Sequence, residues 1–127
     1  MIVADASAAI SALLRAGPAR ERLSREEIHA PHLIDYEIAN AIRRTVRVQS
    51  VPESVGVKVL ARWSTTDIER YPAGGLLARI WELRSNLTAY DAAYTALAEA
   101  LGCPLVTADG RLATAPGIRC EVQVVPR

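Results

Sequence analysis

The segment from Asn86 to Asp109 restricts the fold of this chain more than any other: Asn-Leu-Thr-Ala-Tyr-Asp-Ala-Ala-Tyr-Thr-Ala-Leu-Ala-Glu-Ala-Leu-Gly-Cys-Pro-Leu-Val-Thr-Ala-Asp. Tyr90, Ala93, Tyr94, Leu97 and Leu101 recur at helical spacing, which predicts a helix with one apolar face. Thr88 and Asp91 stand three apart just ahead of that face, in the form of a capping box with Asp for Glu. Gly102 suits a left-handed helix stop, and Pro104 forbids further helix. Leu105-Val106-Thr107 then reads as a short buried strand, and Asp109-Gly110 as a turn at its carboxyl end. A strand running back along its helix ends level with the helix start. Asp91 and Asp109 are therefore expected to be neighbours.

The rest of the chain repeats the same grammar. Met1 to Ala4 is a short apolar run ending at Asp5, the signature of a buried parallel strand. A helix follows over Ala8 to Arg15, and Gly17-Pro18 separates it from a shorter one over Ala19 to Arg25. Ile28-His29-Ala30 is a weak strand that ends at Pro31. Leu33 to Val48 is a long helix, with Leu33, Ile34, Ile38, Ala41, Ile42 and Thr45 as its buried stripe. Glu37, Asn40 and Arg44 share a flank of that helix, and Asp35 points elsewhere. Pro52 opens a helix to about Trp63, with Val55, Val59, Leu60 and Trp63 as its apolar face. Ile68 to Tyr71 reads as an edge strand, Leu76 to Arg84 as a helix, Arg111 to Ala115 as one helical turn and Arg119 to Val125 as a last strand. Short strands alternating with helices predict an α/β sandwich with a mainly parallel central sheet. In such sheets ligands sit beyond the carboxyl ends of the strands, where Asp5 and Asp109 stand.

The 127 residues fit one domain, residues 1–127, and half of them are hydrophobic, enough for a core without disulfides. A net charge of +1 does not announce a nucleic-acid ligand. Cys103 and Cys120 form no zinc pattern and are expected to be buried reduced thiols of a cytoplasmic protein. The apolar amino end lacks a basic leader region and carries Asp5 early, so no signal peptide is expected; no apolar run is long enough for a membrane span.

Four acids draw the argument together. Singly, each has an ordinary explanation: Asp5 an N-cap, Asp91 a helix-dipole partner, Asp109 a turn residue, Glu37 a solvated helix position. Jointly they gather at one end of the sheet. Clustered carboxylates repel, and a fold keeps them close mainly where a cation neutralises them. Oxygen ligands without Cys or His suit Mg²⁺, with Mn²⁺ as a substitute. Such ions polarise a phosphoryl group and activate water for in-line attack.

With these residues in view, the whole chain resembles the PIN-domain ribonucleases, and within them the VapC toxins of type II toxin–antitoxin modules. Ile2-Val3-Ala4-Asp5-Ala6-Ser7 is similar to the family's first strand and first acid. The helix from Pro31 to Ala41 resembles the one bearing its second acid, Glu37. Tyr90-Asp91-Ala92-Ala93-Tyr94 and Thr107-Ala108-Asp109-Gly110-Arg111-Leu112 resemble the third and fourth. The resemblance implies a PIN-like α/β/α sandwich in which Asp5, Glu37, Asp91 and Asp109 hold one or two Mg²⁺ ions. It implies that Ser7, Asn40 and Thr107 support them through hydrogen bonds. It further implies RNA cleavage by metal-activated water, leaving a 3′-hydroxyl and a 5′-phosphate. By proximity to the motifs, Arg43, Arg44, Arg84 and Arg111 are candidate phosphate contacts. The expected partners are RNA, a VapB-type antitoxin and a second copy of the chain, with no membrane. The helices around Ala8–Leu14 and Val55–Trp63 offer apolar surface for the protein partners.

Two other functions fit parts of the pattern. A PIN fold with intact acids can serve as a non-catalytic module that binds RNA or protein. A phosphatase or receiver domain also uses a strand-end Asp, but here the pair is Asp5-x-Ser7, and no adjacent acid pair lies near the first strand.

Overall fold

The computed structural model of the protein describes all residues from Met1 to Arg127. Its centre is a five-stranded, wholly parallel sheet. In chain order the strands are β1 (Ile2–Ala4), β2 (Ile28–Pro31), β3 (Ile68–Tyr71), β4 (Leu105–Thr107) and β5 (Val122–Val124). The helices are α1 (Ala6–Leu14), α2 (Pro18–Leu23), α3 (Leu33–Arg47), α4 (Glu53–Ser64), α5 (Leu77–Glu82) and α6 (Ala89–Leu101). Arg111 lies in a 3₁₀ turn, Gly110–Thr114, and a second such turn precedes α5.

Across the sheet the order is β3-β2-β1-β4-β5. The chain leaves β1 in one direction through β2 and β3, then crosses back to add β4 and β5 on the other side. With right-handed crossovers, this reversal places α1–α4 on one face and α5–α6 on the other. The crevice of such a sheet opens where the order reverses, between the carboxyl ends of β1 and β4. Val3 is in register with Leu105 and Ala4 with Val106, so Asp5 and Thr107 follow side by side.

The central strands are short, apolar and buried throughout, as a sheet covered on both faces requires. Ile34, Ile38 and Ile42 bury the stripe of α3, and Val59 and Trp63 that of α4. The α6 helix departs from the one-faced expectation. All residues from Ala92 to Ala98 are buried, and Tyr90, expected on the apolar face, is exposed. Its small Ala side chains let it lie against β1, β2 and β4 with neighbours nearly all round. The predicted caps of α6 both form: the Thr88 hydroxyl accepts from the Asp91 N–H, and Gly102 adopts φ +65°.

Two polar clamps fix the periphery. Asp35 accepts from Trp63 Nε1 at 2.7 Å and from Arg70 at 2.8 and 3.0 Å, tying α3 to α4 and β3. Arg79 donates to Glu99 at 2.6 and 3.2 Å and to the Gly117 carbonyl at 2.6 Å, while the Arg119 N–H donates to Glu99 at 2.8 Å. Burial raises the Glu99 carboxyl, but the Arg79 and Arg119 hydrogen bonds outweigh it and hold the group below its ordinary range. Cys103 is buried and Cys120 only partly so; both are free thiols.

Gly56 lies inside α4, where helix propensity would favour Ala by about 1 kcal/mol. An added Cβ would stand 2.9 Å from Val46 Cγ2 and 3.3 Å from Ile42 Cγ2, both on α3. Overpacking of that kind costs about 1–3 kcal/mol, so the clash outweighs the propensity gain. Gly56→Ala should therefore lower the melting temperature. An unchanged or raised value would mean that α3 and α4 are not in this close contact.

Candidate active site

At the carboxyl end of the sheet an open pocket of about 440 Å³ brings together all four acids, Asp5, Glu37, Asp91 and Asp109. They come from four separate elements: the end of β1, the middle of α3, the first turn of α6 and the turn after β4. No Cys or His lines the pocket.

Asp5 is the most deeply held, with 6 % of its surface exposed. Its Oδ1 accepts from Ser7 Oγ at 2.6 Å and from the Ala8 N–H at 3.0 Å, so it caps α1 as well as lining the pocket. Its Oδ2 accepts from Thr107 Oγ1 at 2.5 Å. The two hydroxyls also accept, Ser7 from the Ala108 N–H and Thr107 from the Asp109 N–H, each at 2.9 Å. Each hydroxyl has one proton, and both are directed to Asp5. The 3.2 Å contact between Ser7 and Thr107 is therefore proximity rather than a further hydrogen bond. Through these two side chains the backbone carrying Asp109 is tied to Asp5.

The other acids have distinct settings. Glu37 accepts from the Tyr94 hydroxyl at 2.6 Å, linking α3 to α6. Burial first, and Glu37 second, hold the Tyr94 hydroxyl far above its ordinary pKa, so it stays a donor. Asp91 completes only half of a capping box: its N–H is bonded to Thr88, while its carboxylate lines the pocket. Asp109 is clasped by Arg111, with contacts from 2.6 to 3.1 Å.

Titration follows setting. Burial raises Asp5 despite its hydrogen bonds, and the charge of Asp91 adds a little. Burial raises Glu37, with Asp91 and Asp5 contributing. Burial again, then Asp109, raises Asp91. Asp109 moves the other way, because the Arg111 hydrogen bond holds it down. Mutual repulsion, the expected cause, is thus secondary to desolvation, and it does not govern Asp109.

The supporting residues and arginines sort unevenly. Ser7 and Thr107 bond directly to Asp5, as expected. Asn40 makes no hydrogen bond to the acids here: its side chain accepts from Arg43 at 3.0 Å on α3. Arg43, held in that bond, does not line the pocket. Arg84 lies elsewhere, its guanidinium 4.4 Å from the Trp81 ring centre and bonded to the Trp81 carbonyl. Arg44 and Arg111 do line the pocket. Arg15 and Arg127 join them there; they were missed because one ends a helix and the other ends the chain, far from any motif. No three acids stand as a ready-assembled metal-ligand group. The donor chemistry nonetheless suits a hard cation, because charge on Asp5, Glu37 and Asp91 is disfavoured without one. The Arg111 side chain is 85 % exposed, so solvent weakens its hold on Asp109.

Thr107→Val keeps the shape of the side chain but leaves Asp5 Oδ2 and the Asp109 N–H without a partner. Loss of about 1–3 kcal/mol of stability is expected, read by denaturant unfolding. A neutral result would show that the Thr107 hydroxyl does not couple β1 to the Asp109 turn.

The family model described as the PIN domain matches residues 2–118. Ribonuclease VapC9 of Mycobacterium tuberculosis is 50 % identical over 127 residues, covering all of both chains. The crystal structure of PAE2754 from Pyrobaculum aerophilum is 29 % identical, with a TM-score of 0.69 over 97 % of this chain and 83 % of that one. VapBC2 from Rickettsia felis, solved bound to a promoter DNA fragment, shares the fold at 14 % identity, with a TM-score of 0.71 over 97 % and 99 %. From the family match along nearly its whole length and the 50 % identity to VapC9 over both full chains, this chain belongs to the PIN domain family.

Proposed function

We propose that this chain is the ribonuclease toxin of a toxin–antitoxin module, with residues 1–127 acting as one PIN-like domain. The observation that carries the reading is the single pocket into which Asp5, Glu37, Asp91 and Asp109 converge. The full-length likeness to a named VapC ribonuclease supports the choice of RNA as substrate. PIN-domain ribonucleases are generally dependent on a divalent metal; we take the ion here to be Mg²⁺, with Mn²⁺ as a substitute.

Asp5, Asp91 and Glu37 would hold the ion, with Asp109 joining them once its pair with Arg111 opens. When bound, a divalent cation polarises the scissile phosphoryl oxygen and lowers the pKa of a water. The chain's own residues do the rest. Ser7 and Thr107 direct their protons to Asp5, favouring its ionised form against the effect of burial and aiming the carboxylate. Tyr94 holds one oxygen of Glu37 and leaves the other for the ion or the attacking water. Arg15, Arg44, Arg111 and Arg127 rim the pocket with positive charge for the RNA phosphates. The expected protein partner is a VapB-type antitoxin. A groove of about 240 Å³ between α1, α2 and α4, lined by Ala12, Leu13, Leu23, Ile28 and Trp63, is where an apolar helix of that partner would dock. No helix of the protein is long and apolar enough to cross a membrane.

RNA cleavage should require Mg²⁺ or Mn²⁺ and stop with EDTA. Asp5→Asn, Glu37→Gln and Asp91→Asn should each lower it at least about 100-fold, the loss typical of removing charge stabilisation at a reacting phosphate. Asp109→Asn should be milder. The check is cleavage of labelled RNA by purified protein freed of antitoxin. Persistent cleavage in EDTA would refute the metal, and a near-normal rate in one of the first three variants would remove that acid from the site.

The raised carboxyls also set a pH dependence. Ionising a group whose folded pKa is raised weakens the fold. The penalty is absent below the ordinary carboxyl range, about 4, and grows as pH rises through the folded value. Glu37→Gln removes that charge while its amide oxygen can still accept from Tyr94. In metal-free protein the variant should match the parent at low pH and be modestly more stable at neutral pH, since solvent screens part of the penalty. Added Mg²⁺ should narrow the difference by stabilising the parent. A variant less stable than the parent at neutral pH in EDTA would mean that Glu37 is not held at a cost.

A further inference from the structure

Two tyrosines flank the acid pocket without structural work to do. Of the four in the chain, Tyr71 and Tyr94 are committed to internal hydrogen bonds with His29 and Glu37. Tyr36 and Tyr90 are 76 % and 62 % exposed. Each directly precedes an acid of the site, as Tyr36-Glu37 on α3 and Tyr90-Asp91 on α6. Successive residues of a helix point roughly 100° apart, so an inward acid turns its neighbour outward. Both rings therefore emerge beside the mouth of the pocket.

They also share a groove. An open channel of about 510 Å³ is lined by Leu33, Tyr36, Glu37, Asn40, Arg44 and Tyr90. Glu37 and Arg44 line the acid pocket too, so the two spaces lie side by side at these residues. Arg44 enters no ion pair. Asn40 accepts from Arg43 through its carbonyl oxygen, which leaves its amide N–H groups for another acceptor.

We propose that Tyr36 and Tyr90 form a stacking platform for unpaired RNA bases next to the scissile phosphate. Arg44 holds the intervening phosphate, and the Asn40 amide donates to a base edge. The inference rests on the ribonuclease reading and deepens it by naming the subsite that selects substrate. Bases offer their faces to aromatic rings only where they are unpaired and unstacked, so this groove favours single-stranded or looped segments over a duplex. Phosphate contacts alone would not make that distinction.

The test is fluorescence anisotropy in EDTA, where the RNA stays intact. The probes are a labelled single-stranded RNA of mixed sequence and the same RNA annealed to its complement. Tyr36→Ala and Tyr90→Ala should each weaken single-strand binding about 10-fold, while Tyr36→Phe and Tyr90→Phe restore it. Duplex binding should not separate the Ala variants from the parent. In Mg²⁺ the Ala variants should show a matching rise in KM. Both side chains are exposed, so melting temperatures should stay with the parent and confirm that the variants fold.

Ala variants that bind single strands as the parent does would overturn the platform, and if the parent still cuts RNA the ribonuclease reading stands. Equal losses on single strand and duplex would also overturn it. So would a concentration-dependent dimer, seen by sedimentation, that the Ala variants abolish while RNA binding is unchanged. Tyrosine-dependent binding by a parent that cuts no RNA in Mg²⁺ would support the platform and remove the ribonuclease reading. A parent that binds no RNA would overturn both.

Discussion

The Asp5 carboxylate is the interaction on which the rest depends. It ends β1, caps α1 and receives the protons of Ser7 and Thr107. The Thr107 hydroxyl then receives the Asp109 N–H, and that of Ser7 the neighbouring Ala108 N–H. One buried charge thus fixes a helix start, a strand seam and the position of a second acid. Burying it raises its pKa, so the arrangement is costly without a cation. The hydrogen bonds offset part of that cost, and a divalent ion would offset more. Asp5 is thus the most deeply held of the four acids.

Around that centre each acid is restrained differently. Glu37 has a neutral donor, Tyr94, which fixes its direction without cancelling its charge. Asp91 has no side-chain partner among the ion pairs and projects from the first turn of α6, whose N-terminus favours negative charge. Asp109 has a full positive partner, but an exposed one. The pocket therefore combines firmly held carboxylates with one whose partner is exposed. Its rim arginines arrive from α1, α3, the turn after β4 and the chain end, so positive charge surrounds an acidic floor. On the proposed reading a phosphodiester would meet both, the rim cations against its oxygens and the acidic floor where its bond breaks.

Much of this was legible from residue order alone. The Asn86–Asp109 segment carried its own punctuation in Thr88, Gly102 and Pro104, and all three act as read. The parallel sheet followed from short apolar runs that ended in acids. Proximity along the chain did not by itself bring every candidate to the pocket. Asn40 shares a flank with Glu37 in sequence, but a local bond to Arg43 is shorter to make than one across the pocket. Arg84 follows a helix end and finds the nearby Trp81 ring before it finds phosphate. Tyr90 was placed in the core because an aromatic at helical spacing usually belongs there. The Ala-rich α6 instead sinks so deeply between its neighbours that only its ends reach solvent, and Tyr90 is at one of them. Arg15 and Arg127 carry no motif, and only the fold brings them to the pocket. The balance between burial and repulsion was also invisible, since it depends on how much protein covers each carboxylate.

The central claim is that the four-acid pocket is a divalent-metal site. The most direct measurement is an anomalous difference map from crystals of the isolated protein soaked in Mn²⁺. The account predicts a peak in the pocket, bounded by carboxylate oxygens of Asp5, Asp91 and Glu37, with Asp109 released from Arg111. A map with Mn²⁺ bound elsewhere, or with no peak in this pocket while Asp109 stays clasped by Arg111, would contradict it.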